Sequence, residues 1–166
     1  MDDPIRKPWS HQERNRGMSS EENKLLVRRY YEEVVNTGRV NLLADFVSPA
    51  YVEFHQNTRQ AIGLEGAKAH VLGVRETYPD LHLTIEQQVA EGEWVVTRVT
   101  ARGTHAGIWL GMKPTGRKLK MTAVNMDRVV DGLIVEHGGA ANMMETFLEI
   151  GAIRISDPVD GQAGDR

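Results

Sequence analysis

The stretch LKMTAVNMDRVVDGLIVEHGGAA, residues 119–141, decides the fold of this chain. It contains two runs rich in apolar residues, and the pair Asp131-Gly132 separates them. An Asp-Gly pair between two such runs is a strong signal for a tight β-hairpin. The stretch therefore predicts two antiparallel strands, over residues 119–130 and 133–141.

More strands are predicted immediately before this hairpin. Residues 81–85 alternate between apolar and polar side chains, and residues 94–104 are rich in β-branched side chains. Both patterns are typical of strands in a sheet with one buried face. The second half of the chain therefore predicts an antiparallel sheet.

The first half of the chain carries helix signals instead. Ser19 and Glu22 match a capping box, an apolar pattern at helical spacing follows, and Gly38 ends it. Further helices are predicted over residues 40–47 (closed by Pro49), 64–78 and 143–150. Helices followed by hairpin-linked strands predict an α+β fold, in which a curved, mostly antiparallel sheet wraps over N-terminal helices. The concave side of such a sheet is expected to form a pocket.

The composition excludes several classes of protein. The 166 residues carry a net charge of −3, which leaves no basic excess for a nucleic-acid surface. No apolar run reaches the roughly 20 residues that span a bilayer, and Asp2, Asp3 and Pro4 interrupt any secretory signal. The chain has no cysteine, which excludes disulfides, thiolate nucleophiles and Cys-based metal sites. We therefore predict a cytoplasmic protein with neither nucleic acid nor membrane as a partner.

The chain is predicted to form one domain with two flexible ends. Residues 1–19 are polar and show no periodicity, which indicates a flexible leader. Residues 154–166 are rich in Gly and charge and indicate a flexible tail. Residues 20–153 are left as a single domain of ordinary size.

Strand alternation indicates which side chains face the interior. The strand over residues 94–104 has one face of small, mostly apolar residues: Val95, Thr97, Val99 and Ala101. We predict that this face points inward, and continuing its alternation places His105 inward at the end of the strand.

The two strands of the hairpin carry the other polar candidates. Asn125 and Asp127 share one face of the first strand, although alternation alone leaves open whether that face points inward. On the second strand, His137 shares a face with Leu133 and Val135. An imidazole on an apolar face needs a hydrogen-bond partner, and either Asn125 or Asp127 could supply it.

Four side chains are candidate acid/base groups: His55, His105, Asp127 and His137. Histidine suits this role because its pKa lies near working pH. A metal site built from the three histidines is conceivable, but no two of them have tight ligand spacing, so we predict no metal. The other two histidines of the domain, His70 and His82, are predicted to face solvent.

Seven short segments of the chain, in order, resemble the SnoaL-like polyketide cyclase family, over about residues 23–153. They are LVRRYYEEV (26–34), YVE (51–53), GLEG (63–66), YPDL (78–81), GTHAG (103–107), PTG (114–116) and DGLIVEH (131–137). This family belongs to the nuclear transport factor 2-like superfamily. The resemblance implies a cone-shaped α+β barrel, a homodimer, no cofactor, and a pocket for a small hydrophobic ring compound.

The resemblance also implies a reaction, the closure of a ring by intramolecular aldol condensation. In the family, an Asp that precedes an aromatic residue by two positions and an Arg by three acts as the acid/base group. Arg128 matches the Arg, so Asn125 stands at the position of the Asp and Asp127 at that of the aromatic residue. A carboxamide cannot take or give a proton near neutral pH, and Asp127 is therefore a candidate displaced carboxylate.

Two further positions depart from the family pattern. His55 stands where a pocket-lining Asn is expected, and Gly138 replaces the Trp that usually follows His137. The missing Trp is expected to enlarge one wall of the pocket. Asn125, Tyr30, Trp109 and Phe54 are the residues that we expect to contact the substrate.

Two kinds of function remain open on the sequence alone. The first is an enzyme, either a cyclase or an isomerase or hydrolase of the same superfamily. The second is a non-catalytic protein that binds a ligand in the same pocket, which the replacement of the Asp by Asn125 favours. Chemical turnover of a bound ligand would separate the two.

Overall fold

A computed structural model describes residues 18–55 and 58–155 of the chain. The helices are α1 (Ser20–Arg29), a π-helical continuation (Tyr30–Val35), a 3₁₀ turn (Val40–Leu42), α2 (Leu43–Phe46), α3 (Gly63–Thr77) and α4 (Met144–Glu149). The strands are β1 (Val47–His55), β2 (Thr58–Ala61), β3 (His82–Glu91), β4 (Trp94–Thr104), β5 (Lys118–Val130) and β6 (Leu133–Asn142). The predicted leader, residues 1–19, lies almost wholly outside the described residues, as does most of the predicted tail.

The six strands form one sheet in the order β2-β1-β6-β5-β4-β3. Every neighbouring pair is antiparallel except β1 and β6, which are parallel. The predicted hairpin is present, and its turn places Asp131 and Gly132 at φ 49° and 70°. These positive angles explain the Asp-Gly pair, because Gly and Asp tolerate left-handed backbone better than most residues. The α+β fold with its curved, mostly antiparallel sheet is confirmed.

The first helix begins as its sequence predicts and then departs from the α-helical form. The Glu22 N–H donates to Ser19 Oγ at 3.3 Å, and Glu22 Oε2 accepts from the Ser19 N–H at 2.8 Å, which completes the capping box. From Tyr30 the helix widens into a π-helix, in which the Asn36 N–H donates to Tyr31 O. Such widened turns are rare and are frequent at functional sites. Here the widened turn carries two consecutive buried tyrosines, Tyr30 and Tyr31.

The chain between α2 and α3 differs from the prediction. Pro49 does not close a helix over residues 40–47 but lies inside β1, which begins at Val47. The pairing of β1 with β6 shifts register between Val47 and Val52, so Pro49 sits in an irregular part of the ladder, where its missing N–H is tolerated. The short strand β2, whose four residues are all exposed, was not predicted because it lacks an apolar face.

A bulge in the hairpin changes which residues of β6 face inward. Arg128 pairs with Glu136 and Val129 pairs with Ile134, which leaves Val135 opposite no residue. Ile134 is therefore buried in the core, and Val135 is not. His137 does lie on the inner face, but the prediction that Leu133 and Val135 share its face is wrong because of this extra residue.

The helices cover the concave side of the sheet and enclose two apolar clusters. The larger cluster joins α1 and its π-helical continuation to β1, β4, β5 and β6. The smaller cluster contains Tyr78, Leu81, Ala101 and Leu119. Within residues 18–55 and 58–155, no helix has both the length and the apolar character required to cross a bilayer.

Candidate active site

A cavity of about 280 Å³ lies between the helices and the inner face of the sheet. Its walls come from the π-helical segment, β1, α3, β4, β5 and β6. Most of the lining side chains are apolar, and the polar ones are Tyr30, Tyr31, Tyr51, Glu53, His70, Tyr78, Asn125 and His137. A small apolar space with a few convergent polar groups is the usual form of a site for a compact organic ligand.

Asp127 and His137 form a hydrogen-bonded pair at the bottom of this cavity. They are cross-strand partners in the β5–β6 ladder, and Asp127 Oδ1 lies 2.8 Å from His137 Nδ1. This contact confirms the prediction that a polar residue of the neighbouring strand supplies the partner of His137. Asp127 is fully buried and does not line the cavity, whereas 21% of the His137 side chain is exposed. The structure therefore connects Asp127 to the cavity through the imidazole of His137, and a catalytic role for Asp127 stays a prediction.

Tyr31 and Asn125 extend this pair into a chain of four side chains. The Tyr31 hydroxyl donates to Asp127 Oδ2 at 3.0 Å, and Asn125 Nδ2 donates to the Tyr31 oxygen at 3.1 Å. Both oxygens of Asp127 are thus occupied. Asn125 lines the cavity as predicted, with its amide oriented by Tyr31.

The surroundings of His137 raise its proton affinity. Burial by itself would lower the pKa of His137, but the negative charge and the hydrogen bond of Asp127, together with the charge of Glu53, raise that pKa above 6.5. Because a carboxylate only accepts, the neutral ring carries its proton on Nδ1, and Nε2 keeps a lone pair. This is the arrangement that a general base requires.

The tyrosines of the cavity keep their hydroxyl protons at neutral pH and therefore act as hydrogen-bond donors. Burial, reinforced by the charge of Asp127, raises the pKa values of Tyr30 and Tyr31 well above 10. Burial also raises the pKa of Tyr78 to about 12. The Tyr78 hydroxyl is buried and has no hydrogen-bond partner among the described residues. Tyr30, predicted to contact substrate, lines the cavity.

A second pair of acid and imidazole, which the sequence did not predict, lies on another wall of the cavity. His70 Nδ1 on α3 is 2.7 Å from Glu53 Oε1 on β1, and both residues line the cavity. His70 was predicted to face solvent, and its side chain is indeed 50% exposed, but its ring also borders the cavity. The pair joins two elements that are distant in sequence, so no local pattern indicates it.

His105 and Trp109 do not take the positions that we predicted for pocket residues. His105 is fully buried, as strand alternation predicted, but its ring packs against Tyr78 and Trp109, with centroids 5.9 and 6.0 Å away. Its Nδ1 lies 3.1 Å from Thr115 Oγ1. Trp109 also packs on Phe147. Neither residue lines the cavity, because the Tyr78 ring does so in their place.

Phe54 and Gly138 lie on the outer face of the sheet. Phe54 is 39% exposed and borders an apolar hollow of about 690 Å³ together with Trp94, Val124 and Met126. The structure places Phe54 outside the interior cavity, since its neighbour Glu53 takes the inward position, and its contact with a substrate stays a prediction. Gly138 borders the same hollow, so the missing Trp opens the outer face rather than the cavity.

The remaining predicted site residue, His55, ends β1 at the edge of the described residues. Its side chain falls outside them. Across the described part of the chain, no group of three or more His, Cys, Asp or Glu side chains is placed to hold a metal ion. The polar side chains that line the cavity offer imidazole, carboxylate, amide and phenol groups, which can transfer protons and stabilise a developing oxyanion.

Comparisons with known proteins agree with this geometry. A family model described as SnoaL-like polyketide cyclase matches residues 25–150. Aklanonic acid methyl ester cyclase AcmA of Streptomyces galilaeus is 30% identical over 129 residues, which cover 75% of this chain and 88% of that protein.

Two solved structures have the same fold. IdmH of Streptomyces antibioticus, described as a proposed polyketide cyclase, superimposes with a TM-score of 0.65 at 30% identity, over 79% of this chain and 99% of that chain. AclR of Streptomyces galilaeus, described as a proposed hydroxylase, superimposes with a TM-score of 0.72 at 26% identity, over 82% of this chain and 100% of that chain.

Proposed function

Because the chain belongs to the SnoaL-like polyketide cyclase family, we propose that it closes a ring in a small hydrophobic polyketide by intramolecular aldol condensation. His137 is the general base in this proposal, and Asp127 is the residue that positions it. The reaction needs no cofactor, since proton transfer alone converts the open form into its cyclic isomer.

The proposed reaction proceeds in three steps: removal of a proton from carbon, formation of the C–C bond and protonation of the alkoxide. His137 Nε2 removes a proton from a carbon next to a carbonyl group, which breaks the C–H bond and leaves an enolate. The enolate carbon then attacks a second carbonyl group of the same molecule, forming the new C–C bond, and the resulting alkoxide takes up a proton. No atom is gained or lost overall. In this proposal the developing oxyanions accept hydrogen bonds from protonated tyrosines that line the cavity.

The single observation that carries this proposal is the 2.8 Å contact between Asp127 Oδ1 and His137 Nδ1. It gives the cavity an acid/base group even though Asn125 occupies the position of the family's Asp. One positioned general base contributes about 10²–10⁴-fold to a rate. A carboxylate that fixes the tautomer of the ring supports that contribution.

The proposal is tested by turnover of a keto ester that can form a ring. The purified protein is incubated with aklanonic acid methyl ester, the compound in the name of the relative AcmA, and with smaller bicyclic keto esters that suit the cavity. We expect a cyclic product of unchanged mass, and a rate at least about 10²-fold lower for His137→Gln. Equal rates for the two proteins would contradict the proposal.

A second candidate function is ligand binding without catalysis, which the loss of the Asp at position 125 favours. The variant Asn125→Asp separates the two. If the chain is a binder that has lost its acid/base group, the variant gains turnover that the wild type lacks. If His137 is the base, the wild type is active and the variant is slower, because the amide that donates to Tyr31 is gone.

The proposed assembly is a homodimer in which the outer face of the sheet meets the same face of a second copy. Phe54, Trp94, Val124 and Met126 are between 37% and 46% exposed and border one hollow. An apolar patch of this kind on a sheet face commonly marks a protein interface. The cytoplasm stays the predicted location.

A further inference from the structure

The cavity brings two pairs of acid and imidazole to different walls. Asp127 and His137 lie on β5 and β6, and Glu53 and His70 lie on β1 and α3. The proposed function uses the first pair only. The second pair is held as closely as the first, since His70 Nδ1 and Glu53 Oε1 are 2.7 Å apart.

Glu53 connects the two imidazoles. It is the partner of His137 in the parallel ladder of β1 and β6, and both side chains point to the cavity. Neighbouring strands lie about 4.8 Å apart, so two side chains on the same face at paired positions are close neighbours. The charge of Glu53 contributes to the raised pKa of His137, which is the electrostatic sign of this proximity.

An aldol closure needs a base and an acid at different places. The proton leaves a carbon atom, and the alkoxide that later needs a proton forms at the second carbonyl group of the substrate. A single imidazole would have to reach both atoms. With two imidazoles on separate walls, one can face the carbon that loses a proton and the other can face the alkoxide oxygen that gains one.

We propose that His70, held by Glu53, is a second catalytic residue of this cavity and acts as the general acid that protonates the new alkoxide. This inference rests on the proposed function. The O–H bond of the product forms as the N–H bond of the His70 imidazolium breaks, while His137 keeps the proton that it took from carbon. The net result is one proton moved from His70 to the product and one from the substrate to His137.

The positions of the two histidines suit the return of that proton. His70 is half exposed, and its partner Glu53 is paired with His137 across the β1–β6 ladder. A purely structural ion pair between α3 and β1, with one partner half exposed, would instead contribute only weakly to the stability of the fold. A structural pair would leave the chemical steps unchanged when His70 is replaced.

The experiment separates proton removal from ring closure. Proton removal is measured as deuterium uptake, above the uncatalysed background, in an aklanonic acid methyl ester analogue whose accepting ketone is reduced to an alcohol. Ring closure is measured on aklanonic acid methyl ester itself. His70→Gln is expected to lose closure by about 10²-fold and to keep deuterium uptake, whereas His137→Gln loses both. His82→Gln is the matched control, because this exposed histidine at the start of β3 does not line the cavity.

A second variant distinguishes a chemical role of His70 from a purely structural one. His70→Ala leaves a space at a half-exposed position, and added imidazole is expected to restore ring closure in it. The inference is overturned if His70→Gln closes the ring at the wild-type rate. It is also overturned if His70→Gln loses ring closure and deuterium uptake equally and added imidazole restores neither activity in His70→Ala. Both outcomes leave the role of His137 intact. A wild-type protein that neither takes up deuterium nor closes the ring overturns the proposed function and this inference together.

Discussion

Asp127 touches no solvent, and two different groups occupy its carboxylate oxygens. The oxygen that accepts from His137 fixes the ring, and the oxygen that accepts from Tyr31 ties the carboxylate to the helix. Its negative charge raises the pKa of His137 against the effect of burial. The catalytic proposal therefore depends on the negative charge of Asp127, which acts on the substrate only through the imidazole ring of His137.

Replacing Asp127 by Asn is expected to change both the rate and its pH dependence. Proton removal requires neutral His137, so the rate of deuterium uptake rises with pH through the raised pKa of that residue. Without the charge of Asp127 the pKa of His137 falls, and the midpoint of the profile moves to lower pH. The plateau falls by about 10²-fold or more, because an amide can donate to Nδ1 and hold the wrong tautomer. The measurement is the rate of deuterium uptake against pH, because this step does not require His70.

The matched control is Asp131→Asn, which makes the same change at the exposed hairpin turn, away from the cavity. Its pH profile should coincide with that of the wild type. An Asp127→Asn profile with an unmoved midpoint would mean that the titrating group is not His137.

The Asp127–His137 pair is expected to make the free energy of unfolding depend on pH. The pKa of His137 is raised in the fold, so the charged ring stabilises the native state below the unfolded value near 6.5. That contribution is lost as pH rises through the folded pKa. We expect the free energy of unfolding of the wild type, relative to a double variant Asp127→Asn/His137→Gln, to be larger at pH 6 than at pH 9. Urea unfolding at the two pH values measures this, and an equal difference at both would contradict it.

Among the elements, β5 and β6 do most to shape the site, and a glycine makes their close approach possible. Gly139 is the cross-strand partner of Asn125. A Cβ atom at Gly139 would lie 2.6 Å from Asn125 Oδ1 and 2.8 Å from Val124 O. The bare backbone at this position therefore leaves room for the amide that donates to Tyr31.

Two glycine-to-alanine variants are expected to have opposite effects on stability. Gly139→Ala forces its neighbours apart and is expected to lower the free energy of unfolding by about 1–3 kcal/mol. Gly73→Ala in the exposed middle of α3 meets nothing within 4 Å and is expected to raise it by about 0.5–1 kcal/mol. Urea unfolding of both variants measures the two shifts, and a loss of stability in Gly73→Ala would refute the argument from helix propensity.

The sequence predicts elements well where a local pattern decides them. The Asp131-Gly132 turn and the inward face of β4 were predicted correctly, because turn chemistry and alternation act over a few residues. The bulge at Val135 and the π-helical turn at Tyr30 were not predicted. Both depend on how an element packs against distant partners, which local spacing does not record.

In the candidate site, too, local sequence patterns predict some contacts, and packing between distant segments decides the others. His137 and its partner lie on adjacent strands of one hairpin, so alternation and turn position were enough to bring them together. Glu53 and His70 meet only because α3 packs on β1, and this contact was not predictable from either segment alone. The position of Phe54 was not predictable for a similar reason: a shift of one residue in the alternation of β1 decides whether a side chain faces the cavity or the outer surface.

For the whole molecule, the outer face of the sheet is expected to form the dimer contact. Met126→Glu places a charge in the centre of the apolar hollow and should yield a monomer at micromolar concentration. Leu72→Glu is the matched control, since Leu72 on α3 is 45% exposed and Met126 is 46% exposed. Sedimentation velocity measures both variants. A wild type that sediments as a monomer would contradict the homodimer.

Moving the base from the position of Asn125 to that of His137 has a stereochemical consequence. Asn125 pairs with Gly139 and His137 pairs with Asp127 on the adjacent strand, so the two positions are diagonal neighbours and the proton acceptor stands about 7–8 Å from where the family's Asp would be. A substrate bound in the same orientation then presents a different hydrogen, or the opposite side of its enolate, to the attacked carbonyl. With aklanonic acid methyl ester, the new chiral centres of the product should therefore differ in configuration or position from those made by AcmA, and chiral chromatography would reveal the difference.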